Sequence, residues 1–374
     1  FAHALGAAFV MQRTIARLRQ IDSDLPFWQR LTSERARDAL AAALLHDVGH
    51  GPLSHLFEHA LPNAPRHETW TVKVVSDPSS DVHRVLSAED PGMPARVAEL
   101  VVGRHELTYL GSAVSGTFDV DRCDYLLRDA HFTGVTYGRY DLDWLLRSLR
   151  FEQTPDQAEA PRLAIDGIKG ITAIESFLLA RLFMFQQVYF HKSTRAAECM
   201  VTAILRRAVG LLSEGTRLPR SFEALRVAAL GEIPSLAAYL ELDDYALLDA
   251  MATWEEASDP VLRDLCRRLR ARSLFKTLEL GTEVDQGMPE VIAIAGEAAR
   301  AAGLDPRYYV AEDCASDTPF PATSALSVIF PDGRKKALQD VSFVLGRLHG
   351  QTLSRRRVVF APELRQAIRG ALRG

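Results

Sequence analysis

Apolar residues recur at three- and four-residue steps from Phe1 to about Leu149, with Gly or Pro at the breaks. This spacing predicts amphipathic helices. We expect them near residues 3–19, 33–48, 53–61, 67–76, 94–104, 120–131 and 141–149. The runs "SLRFE" and "RLAID" then flank a polar, Pro-containing segment and predict a hairpin over residues 149–166. A long helical tract, in one or two pieces, should follow from about Ile168 to Leu212.

The pattern changes in the second half of the chain. Residues 221–304 predict shorter helices. The β-like runs "RYYVAE", "ALSVIF" and "RRRVVF", a "PDG" turn at 331–333 and a final helix opening on Pro362 predict a mixed region at the end. The expected fold class is mainly α, a helical core with a small α+β C-terminal region. We divide the chain into residues 1–150, 151–215, 216–304 and 305–374.

The composition is that of a globular protein, with 47% of the 374 residues hydrophobic, 25% charged and a formal net charge of −4. This charge gives no general attraction to nucleic acid, although arginines cluster locally. The clusters are Arg263, Arg267, Arg268, Arg270 and Arg272, and Arg355, Arg356 and Arg357. They are either solvated faces or phosphate-binding and effector surfaces.

Cysteine usage and hydropathy bear on the compartment. The four cysteines show no CxxC spacing, which favours a reducing, cytoplasmic setting. The most apolar stretch, residues 171–190, contains Glu175 and Arg181, so we expect it to fall short of a membrane span. We also expect no signal peptide at the start.

Three histidines and an aspartate crowd the stretch "ALLHDVGHGPLSH", residues 43–55. We expect His46 and Asp47 in the last turn of a helix capped by Ser33, from which both side chains can reach one ion. The alternative is a core histidine beside a capping aspartate. It is less favoured because "AALL" before the pair buries two polar groups that need partners. His46 is followed by aspartate rather than glutamate, so the zinc-protease pattern HExxH is not matched.

The following helices carry further titratable residues. His55 and Glu58 are three residues apart and share a helix face, and His50 precedes them in the loop. His67 opens another helix, where Glu68 can favour the N-terminal end of the dipole. His67 is therefore either a cap or a functional residue.

Segment 119–131, "DVDRCDYLLRDAH", is the second dense cluster. On a helix its functional groups fall on one side and apolar residues on the other. The functional side is Asp121, Arg122, Tyr125, Arg128 and Asp129, and the apolar side is Val120, Cys123 and Leu127. A solvated charged face would give the same pattern.

Two cations lie along the long helical tract. Arg181 and Lys192 are eleven residues apart, about three turns, so a continuous helix would project them in the same direction, with Tyr189 to one side. Two aligned cations on an apolar helix indicate an anion. Two snorkelling side chains are the alternative.

Four motifs in order carry a family resemblance: "HALG" with His3, "LLHDVGHGPLSHLFE", His67-Glu68 and "DVDRCDYLLRDAHFTG". They resemble the HD-domain phosphohydrolase superfamily, named for its His-Asp pair. With "ARLFMFQQVYFHK" added, the chain is similar to the deoxynucleoside triphosphate (dNTP) triphosphohydrolases, the dGTPase-like branch. The resemblance covers residues 1–215 well and the tail more loosely.

The resemblance implies roles for individual residues. It implies one divalent ion, Mn²⁺, Fe²⁺ or Mg²⁺, in the core of residues 1–150, with His3, His46, Asp47 and Asp121 as its ligands. It implies a catalytic set of His50, His55, Glu58 and His67. It also implies triphosphate and sugar contacts from Arg122, Tyr125, Asp129, Arg181, Tyr189 and Lys192, with residues 151–215 completing the nucleotide pocket. One further arginine and one glutamine of the family would precede Phe1.

The implied reaction is hydrolysis at the α-phosphorus of a dNTP, giving a deoxynucleoside and triphosphate. A second Mg²⁺ could accompany the nucleotide, an allosteric nucleotide could bind, and a homo-oligomer is implied. One alternative is an HD phosphohydrolase for a nucleoside monophosphate, a nucleotide second messenger or single-stranded nucleic acid. Another is a nucleotide-sensing protein without catalysis, which the acid/base set argues against.

Overall fold

The computed structural model describes residues 1–61, 65–116, 118–152, 160–323 and 326–372. Helices dominate this part of the chain, so the expectation of a mainly α fold is confirmed. In chain order the helices are α1 (Ala2–Ile21), α2 (Ser33–Leu45), α3 (His55–Ala60), α4 (His67–Ser76), α5 (Asp81–Glu89), α6 (Met93–Val101), α7 (Thr108–Val114), α8 (Val120–Thr133), α9 (Leu142–Arg147), α10 (Ile171–Met184), α11 (Lys192–Ser213), α12 (Glu223–Ala229), α13 (Leu236–Leu240), α14 (Asp244–Trp254), α15 (Pro260–Arg270), α16 (Met288–Ala301), α17 (Pro306–Tyr309), α18 (Leu338–Val341), α19 (Phe343–Leu348) and α20 (Arg365–Ala371). The strands are β1 (Leu149–Glu152), β2 (Arg162–Asp166), β3 (Lys276–Glu279), β4 (Val310–Asp317), β5 (Ser327–Ile329), β6 (Lys335–Ala337) and β7 (Leu353–Phe360).

The chain forms two compact units. Unit 1 comprises Phe1–Gly49, Glu68–Gln187 and Asp317–Leu353, and unit 2 comprises His50–His67, Val188–Ser316 and Ser354–Gly374. The division into four sequence regions stays a prediction.

Unit 1 is built around α1. This helix packs against α2 and α8, and α2 packs against α6. Its buried stripe includes Val10, Met11, Ile15 and Leu18, the three- and four-residue spacing of an amphipathic helix. A sheet in the order β1-β2-β5-β6 completes the unit. The predicted hairpin is present, because β1 and β2 pair antiparallel with Leu149 opposite Ile165.

Unit 2 is built around the long helix α11. This helix packs against α3, α12 and α15. Its buried side includes Met200, Ile204 and Leu205. A second sheet has the order β3-β7-β4, and β3 runs antiparallel to β7.

Several predicted elements differ from the structure. The helix expected over 33–48 ends at Leu45, so the His-Asp pair lies in the turn that follows it. Its cap is Thr32, not Ser33, because the extended Thr32 accepts a hydrogen bond from the amide of Arg35 at 3.2 Å. The helices α5 and α7 were not predicted. The expectation of helices throughout residues 221–304 was wrong at residues 276–279, which form β3, because four residues are too few to show a clear period.

The long tract divides into two helices. A π-helical segment, Phe185–Tyr189, follows α10, and α11 begins at Lys192. Within the described ranges, Ile171–Tyr189 is the one helical stretch apolar and long enough, by length and composition alone, to cross a bilayer. The expectation that this stretch is too short and too polar to span a membrane was wrong by length and composition, because the π-helical turn extends the helix to 19 residues. A core helix can meet the same criterion, and in unit 1 this one buries Ile174, Phe177 and Leu178.

Candidate active site

Four potential metal ligands come together in unit 1. They are His3 from α1, His46 and Asp47 from the turn after α2, and Asp121 from the first turn of α8. The Nε2 atom of His3 lies 3.0 Å from Oδ1 of Asp121 and 3.6 Å from Oδ2 of Asp47. The Nε2 atom of His46 lies 3.6 and 3.5 Å from the same two oxygens. Neighbouring ligands of a six-coordinate ion at about 2.1 Å stand about 3 Å apart, so the four donors could share one divalent ion.

Local structure holds these ligands in place. The hydroxyl of Thr71 on α4 donates to the His46 carbonyl at 3.0 Å and accepts from the Gly49 amide at 3.0 Å, which ties the His-Asp turn at both ends. At α8 the Asp119 carboxylate accepts from the Arg122 amide at 2.9 Å and caps the helix. This cap places Asp121 in the first turn.

Both imidazoles use Nδ1 for another contact and direct Nε2 at the carboxylates. Nδ1 of His3 donates to Oδ2 of Asp124 at 2.6 Å, and Nδ1 of His46 donates to the Ala43 carbonyl at 2.9 Å. The Nε2 atom of His46 is buried and makes no hydrogen bond to any described residue. A protonated Nδ1 held by an oxygen, with Nε2 left to bind, is the usual arrangement of a metal-ligating histidine. These residues therefore fit a divalent metal ion.

The electrostatics of the site support this fit. Burial lowers the pKa of His3, but hydrogen bonds with Asp121, Asp124 and Asp47 outweigh it and raise this pKa to about 11. Burial likewise lowers the pKa of His46, and Asp121 and Asp47 raise it. Burial raises the pKa of Asp121, yet the two histidines hold it well below its usual range. The carboxylates thus concentrate negative charge where a cation would bind.

The sequence did not single out Asp124. The predicted helical pattern placed the functional side of α8 at Asp121 and Arg128, whereas Asp124 lies on the buried side. Its carboxylate holds His3 and also accepts from Nε of Arg128 at 2.9 Å. Gly6 was the one sequence feature that pointed to this contact, because a Cβ at this position would lie 1.9 Å from Oδ1 of Asp124. Only glycine lets this carboxylate reach His3.

Unit 1 contains four of the six residues expected to contact phosphate and sugar. Arg122 donates to the Asp119 carboxylate at 2.5 Å, and Arg181 donates to Oδ1 of Asp317 at 2.6 Å. Burial raises the pKa of Tyr125, whereas the positive charges of Arg181 and Arg122 lower it.

Asp129 is one turn further along α8 than Tyr125. Its Oδ1 accepts from Nη1 of Arg128 at 2.8 Å. Helix α8 therefore carries three of the residues expected to contact phosphate or sugar, which are Arg122, Tyr125 and Asp129.

Lys192 and Tyr189 belong to unit 2, not unit 1. The expectation that Arg181 and Lys192 align along one helix was wrong, because the π-helical segment and a break at His191 separate α10 from α11. Tyr189 ends the π-helical segment. Lys192 lines a cavity of about 350 Å³ within unit 2. The other charged residues of this cavity are Arg272, Lys276, Glu283 and Arg365.

Unit 2 contains the expected catalytic set, called here the His/Glu cluster: His50, His55, Glu58 and His67. Both Nδ1 and the backbone amide of His67 donate to Oε1 of Glu58, at 2.9 and 2.8 Å. The His50 ring stacks on His67 at 3.9 Å between centroids, and the His55 ring stands edge-on to both. Burial raises the pKa of Glu58, but these contacts with His67 lower it below its usual range. Glu58 can thus orient His67 for proton transfer.

The loop between His50 and His55 is strained. Leu53 and Ser54 adopt φ values of 59° and 54°, a left-handed conformation unfavourable for leucine. The Leu53 amide donates to Oδ1 of Asp244 at 2.7 Å, which holds the loop. Such strain concentrates at functional sites.

A larger cavity of about 820 Å³ adjoins His55 within unit 2. The His55 side chain is 63% exposed, whereas the other members of the His/Glu cluster are mostly buried. Arg195, Arg206, Arg307 and Tyr308 also line this cavity. The sequence did not predict it, because its lining comes from segments far apart in the chain.

Most arginines of the basic clusters are paired with acidic residues. The pairs are Arg267–Glu256, Arg268–Asp264, Arg268–Glu363, Arg270–Glu255, Arg355–Glu279 and Arg357–Glu279. Their charge is therefore largely neutralised within unit 2. This favours the interpretation of structural, solvated faces over a nucleic-acid surface.

Comparison with known proteins gives two family matches. The HD domain model matches residues 1–126, and the HD associated region model matches residues 141–369. The uncharacterized protein YwfO of Bacillus subtilis is 36% identical over 324 residues, covering 86% of this chain and 69% of YwfO. The deoxynucleoside triphosphate triphosphohydrolase SAMHD1 homolog of Dictyostelium discoideum is 24% identical over 290 residues, covering 75% of this chain and 50% of that protein.

A solved structure agrees with these matches. A phosphohydrolase from Bacteroides thetaiotaomicron superposes with a TM-score of 0.79 at 27% identity, covering 96% of this chain and 86% of that one. The expected ligands His3, His46, Asp47 and Asp121 all fall inside the HD match. The chain therefore belongs to the HD-domain phosphohydrolase superfamily, with its similarity extending to the dNTP triphosphohydrolase-like branch.

Proposed function

We propose that this protein is a metal-dependent dNTP triphosphohydrolase that releases a deoxynucleoside and intact triphosphate. The observation that carries the proposal is the composition of unit 1. Two imidazoles and two carboxylates could hold one divalent ion, and one of these ligands, Asp121, lies on α8 with Arg122 and Tyr125. Arg181, also in unit 1, acts electrostatically on that tyrosine. A unit that carries both a candidate ion site and guanidinium groups suits a polyphosphate ester.

His3, His46, Asp47 and Asp121 would hold the ion, and this mixed donor set suits Mn²⁺, Fe²⁺ or Mg²⁺. When bound, the ion would neutralise phosphate charge and lower the pKa of water. The residues of the chain supply the rest. Arg122 and Arg181 offer donors to the β- and γ-phosphates.

Tyr125 and Asp129 would position the sugar. They lie one turn apart on α8, so their side chains can contact the same face of a ligand. Tyr189 would add a further sugar contact, as the family resemblance implies.

The His/Glu cluster of unit 2 would carry out proton transfer. Glu58 accepts two hydrogen bonds from His67, so it fixes the His67 ring with Nδ1 protonated. His67 would exchange a proton with the departing oxygen through Nε2. His50 and His55 would assist at the phosphate. A protein that only bound nucleotides would have no need for this oriented pair.

Product identity tests the proposal. The manganese-loaded protein is incubated with each dNTP and the products are separated by ion-exchange chromatography. We expect a deoxynucleoside and triphosphate in equal amounts. Pyrophosphate with a monophosphate, or no turnover of any dNTP, would contradict the proposed reaction.

Metal content is tested with Asp47→Ala, which should lose both the ion and activity. The matched control is Asp38→Asn, a buried aspartate of unit 1 that pairs with Arg96 at 2.6 Å and is not a member of the expected ligand set. The control should keep its metal. Equal metal content in both variants would refute the ligand assignment.

A second nucleotide has a suitable cavity in unit 2. Lys192, Arg272, Lys276 and Arg365 surround the 350 Å³ cavity with a single carboxylate, Glu283. This excess of positive charge supports binding of a regulatory nucleotide in the cavity. Lys192, which the resemblance assigned to the substrate, would then contact the regulatory nucleotide instead. Lys276→Ala should then abolish any activation of dNTP turnover by a second nucleotide while leaving basal turnover intact. A cytoplasmic location and a homo-oligomer are proposed on the resemblance and composition alone.

A further inference from the structure

Arg181 is a buried cation held by a carboxylate from a distant part of the chain. Its Nη2 atom donates to Oδ1 of Asp317 at 2.6 Å, and 136 residues separate the two. Both side chains are nearly inaccessible, with 9% of Arg181 and 12% of Asp317 exposed. Asp317 is the last residue of β4 and belongs to unit 1, as Arg181 does.

The pair leaves one buried atom unsatisfied on each side. Nε of Arg181 and Oδ2 of Asp317 are both buried and hydrogen-bond to no residue in the described part of the chain. Arginine and carboxylate can form two parallel hydrogen bonds, but here only one is made. The guanidinium group therefore keeps an unused donor for another acceptor.

Asp317 also interacts electrostatically with Arg122, the second residue expected to bind phosphate. Burial lowers the pKa of Arg122, and the negative charges of Asp119 and Asp317 are among those that raise it. Asp119 has a structural duty, because its oxygens accept from the amides of Arg122 and Gly116 at the start of α8. The Asp317 carboxylate has no such duty among the described residues, since its hydrogen bond is to Arg181.

We propose that Asp317 is an internal competitor for the triphosphate. It occupies Arg181 in the ligand-free protein and gives up this hydrogen bond when the β- and γ-phosphates bind. The inference rests on the proposed function, because it takes Arg181 as a phosphate contact. No covalent step is involved.

The physical reason lies in the number of acceptors. A carboxylate carries one negative charge, whereas a triphosphate carries several charges and can accept from Nη2 and the unused Nε together. When the polyphosphate leaves, the carboxylate can return, so the buried cation keeps a partner throughout. Asp317 thereby weakens triphosphate binding and favours release of the triphosphate product.

The test is direct binding of inorganic triphosphate to the manganese-loaded full chain, measured by isothermal titration calorimetry. Asp317→Asn removes the charge and keeps the shape, so we expect a Kd at least about fivefold lower than in the wild type. Inorganic phosphate, which has no β- or γ-group, should bind equally to both proteins. An unchanged or higher Kd for triphosphate would overturn the proposal.

Three variants separate competition from a purely structural role. Asp317→Glu keeps the charge and should bind triphosphate like the wild type; a gain equal to that of Asp317→Asn would contradict the proposal. In the background Arg181→Ala, Asp317→Asn should lose its effect, because the contested group is gone. Asp38→Asn removes a buried carboxylate–arginine pair elsewhere in unit 1 and should leave triphosphate binding unchanged.

A failure of this inference differs from a failure of the proposed function. The function fails if the wild type releases no triphosphate from any dNTP, whatever Asp317→Asn does. The inference fails if dNTP turnover yields triphosphate but the Asn variant binds it no more tightly. If Asp317→Asn melts before the assay temperature, Asp317→Ser provides the same removal of charge.

Discussion

Asp124→Asn should weaken metal binding without removing a metal ligand. The Asp124 carboxylate accepts the proton of His3 Nδ1 at 2.6 Å, a short charge-assisted hydrogen bond, and its side chain is only 11% exposed. An asparagine oxygen could still accept this proton but would carry no charge. The imidazole would then be a poorer donor to a cation at Nε2.

The expected loss of metal affinity can be taken from other hydrogen-bond partners of metal-ligating histidines. Losing such a partner costs 10- to 100-fold in metal affinity, roughly 1.4–2.7 kcal/mol. Little of this should be screened by solvent, because the pair is mostly buried. Arg128 loses one acceptor but keeps Asp129 at 2.8 Å, so the fold should tolerate the change.

The assay is competition for Mn²⁺ with a chromogenic chelator, after treatment with EDTA, and circular dichroism verifies folding. Turnover should fall at limiting Mn²⁺ and recover at excess Mn²⁺. Gly6→Ala should act in the same direction, because its Cβ would displace the same carboxylate. A folded Asp124→Asn protein with wild-type Mn²⁺ affinity would refute the reasoning.

Four further outcomes are expected. The pKa of His3 is about 11 in the fold and 6.5 in the unfolded chain, so His3 carries an extra proton near neutrality that a bound ion must displace. The affinity for Mn²⁺ should therefore rise with pH by up to about tenfold per pH unit. The same raised pKa means that protonation of His3 stabilises the metal-free fold fully below pH 6.5, and that this stabilisation is lost as pH rises toward 11. Thermal melting in EDTA measures it, and a melting temperature or a Mn²⁺ affinity that does not change with pH would contradict the corresponding prediction. Glu58→Gln should lower kcat by about 10²- to 10⁴-fold with metal content unchanged, as measured by steady-state kinetics and metal analysis, and normal kcat would exclude the proton-transfer role. Gly51→Ala should destabilise the protein by about 1–3 kcal/mol, because its Cβ would lie 2.7 Å from the Phe57 ring, whereas Gly210→Ala in α11 meets nothing within 4 Å and should be neutral or stabilising in chemical denaturation.

Local patterns of the sequence were sufficient for much of the fold and for the choice of candidate ligands. Periodic apolar residues located α1, α4 and α8 to within a few residues, because helix formation depends on near neighbours. The His-Asp pair and Asp121 were recognisable as chemistry, and the structure places them in one set with His3. Their roles as ligands stay predictions.

Helix continuity was harder to predict. Residues 168–212 have an almost uninterrupted apolar pattern, yet a π-helical segment divides them and separates Arg181 from Lys192. Residues on either side of such an insertion lose their common direction. An argument from spacing therefore failed where the backbone changed its period.

The sequence by itself determined many of the helices and which side chains could bind a metal or a phosphate, because both depend largely on residue type and on neighbours within one or two turns. Only the tertiary structure decided how those groups are partnered. Asp124 meets His3 across 121 positions, and Asp317 meets Arg181 across 136. Such contacts are set by how helices and strands pack, and packing combines the whole chain. The protonation of His3 and the occupancy of Arg181 therefore follow from the fold and not from any local pattern.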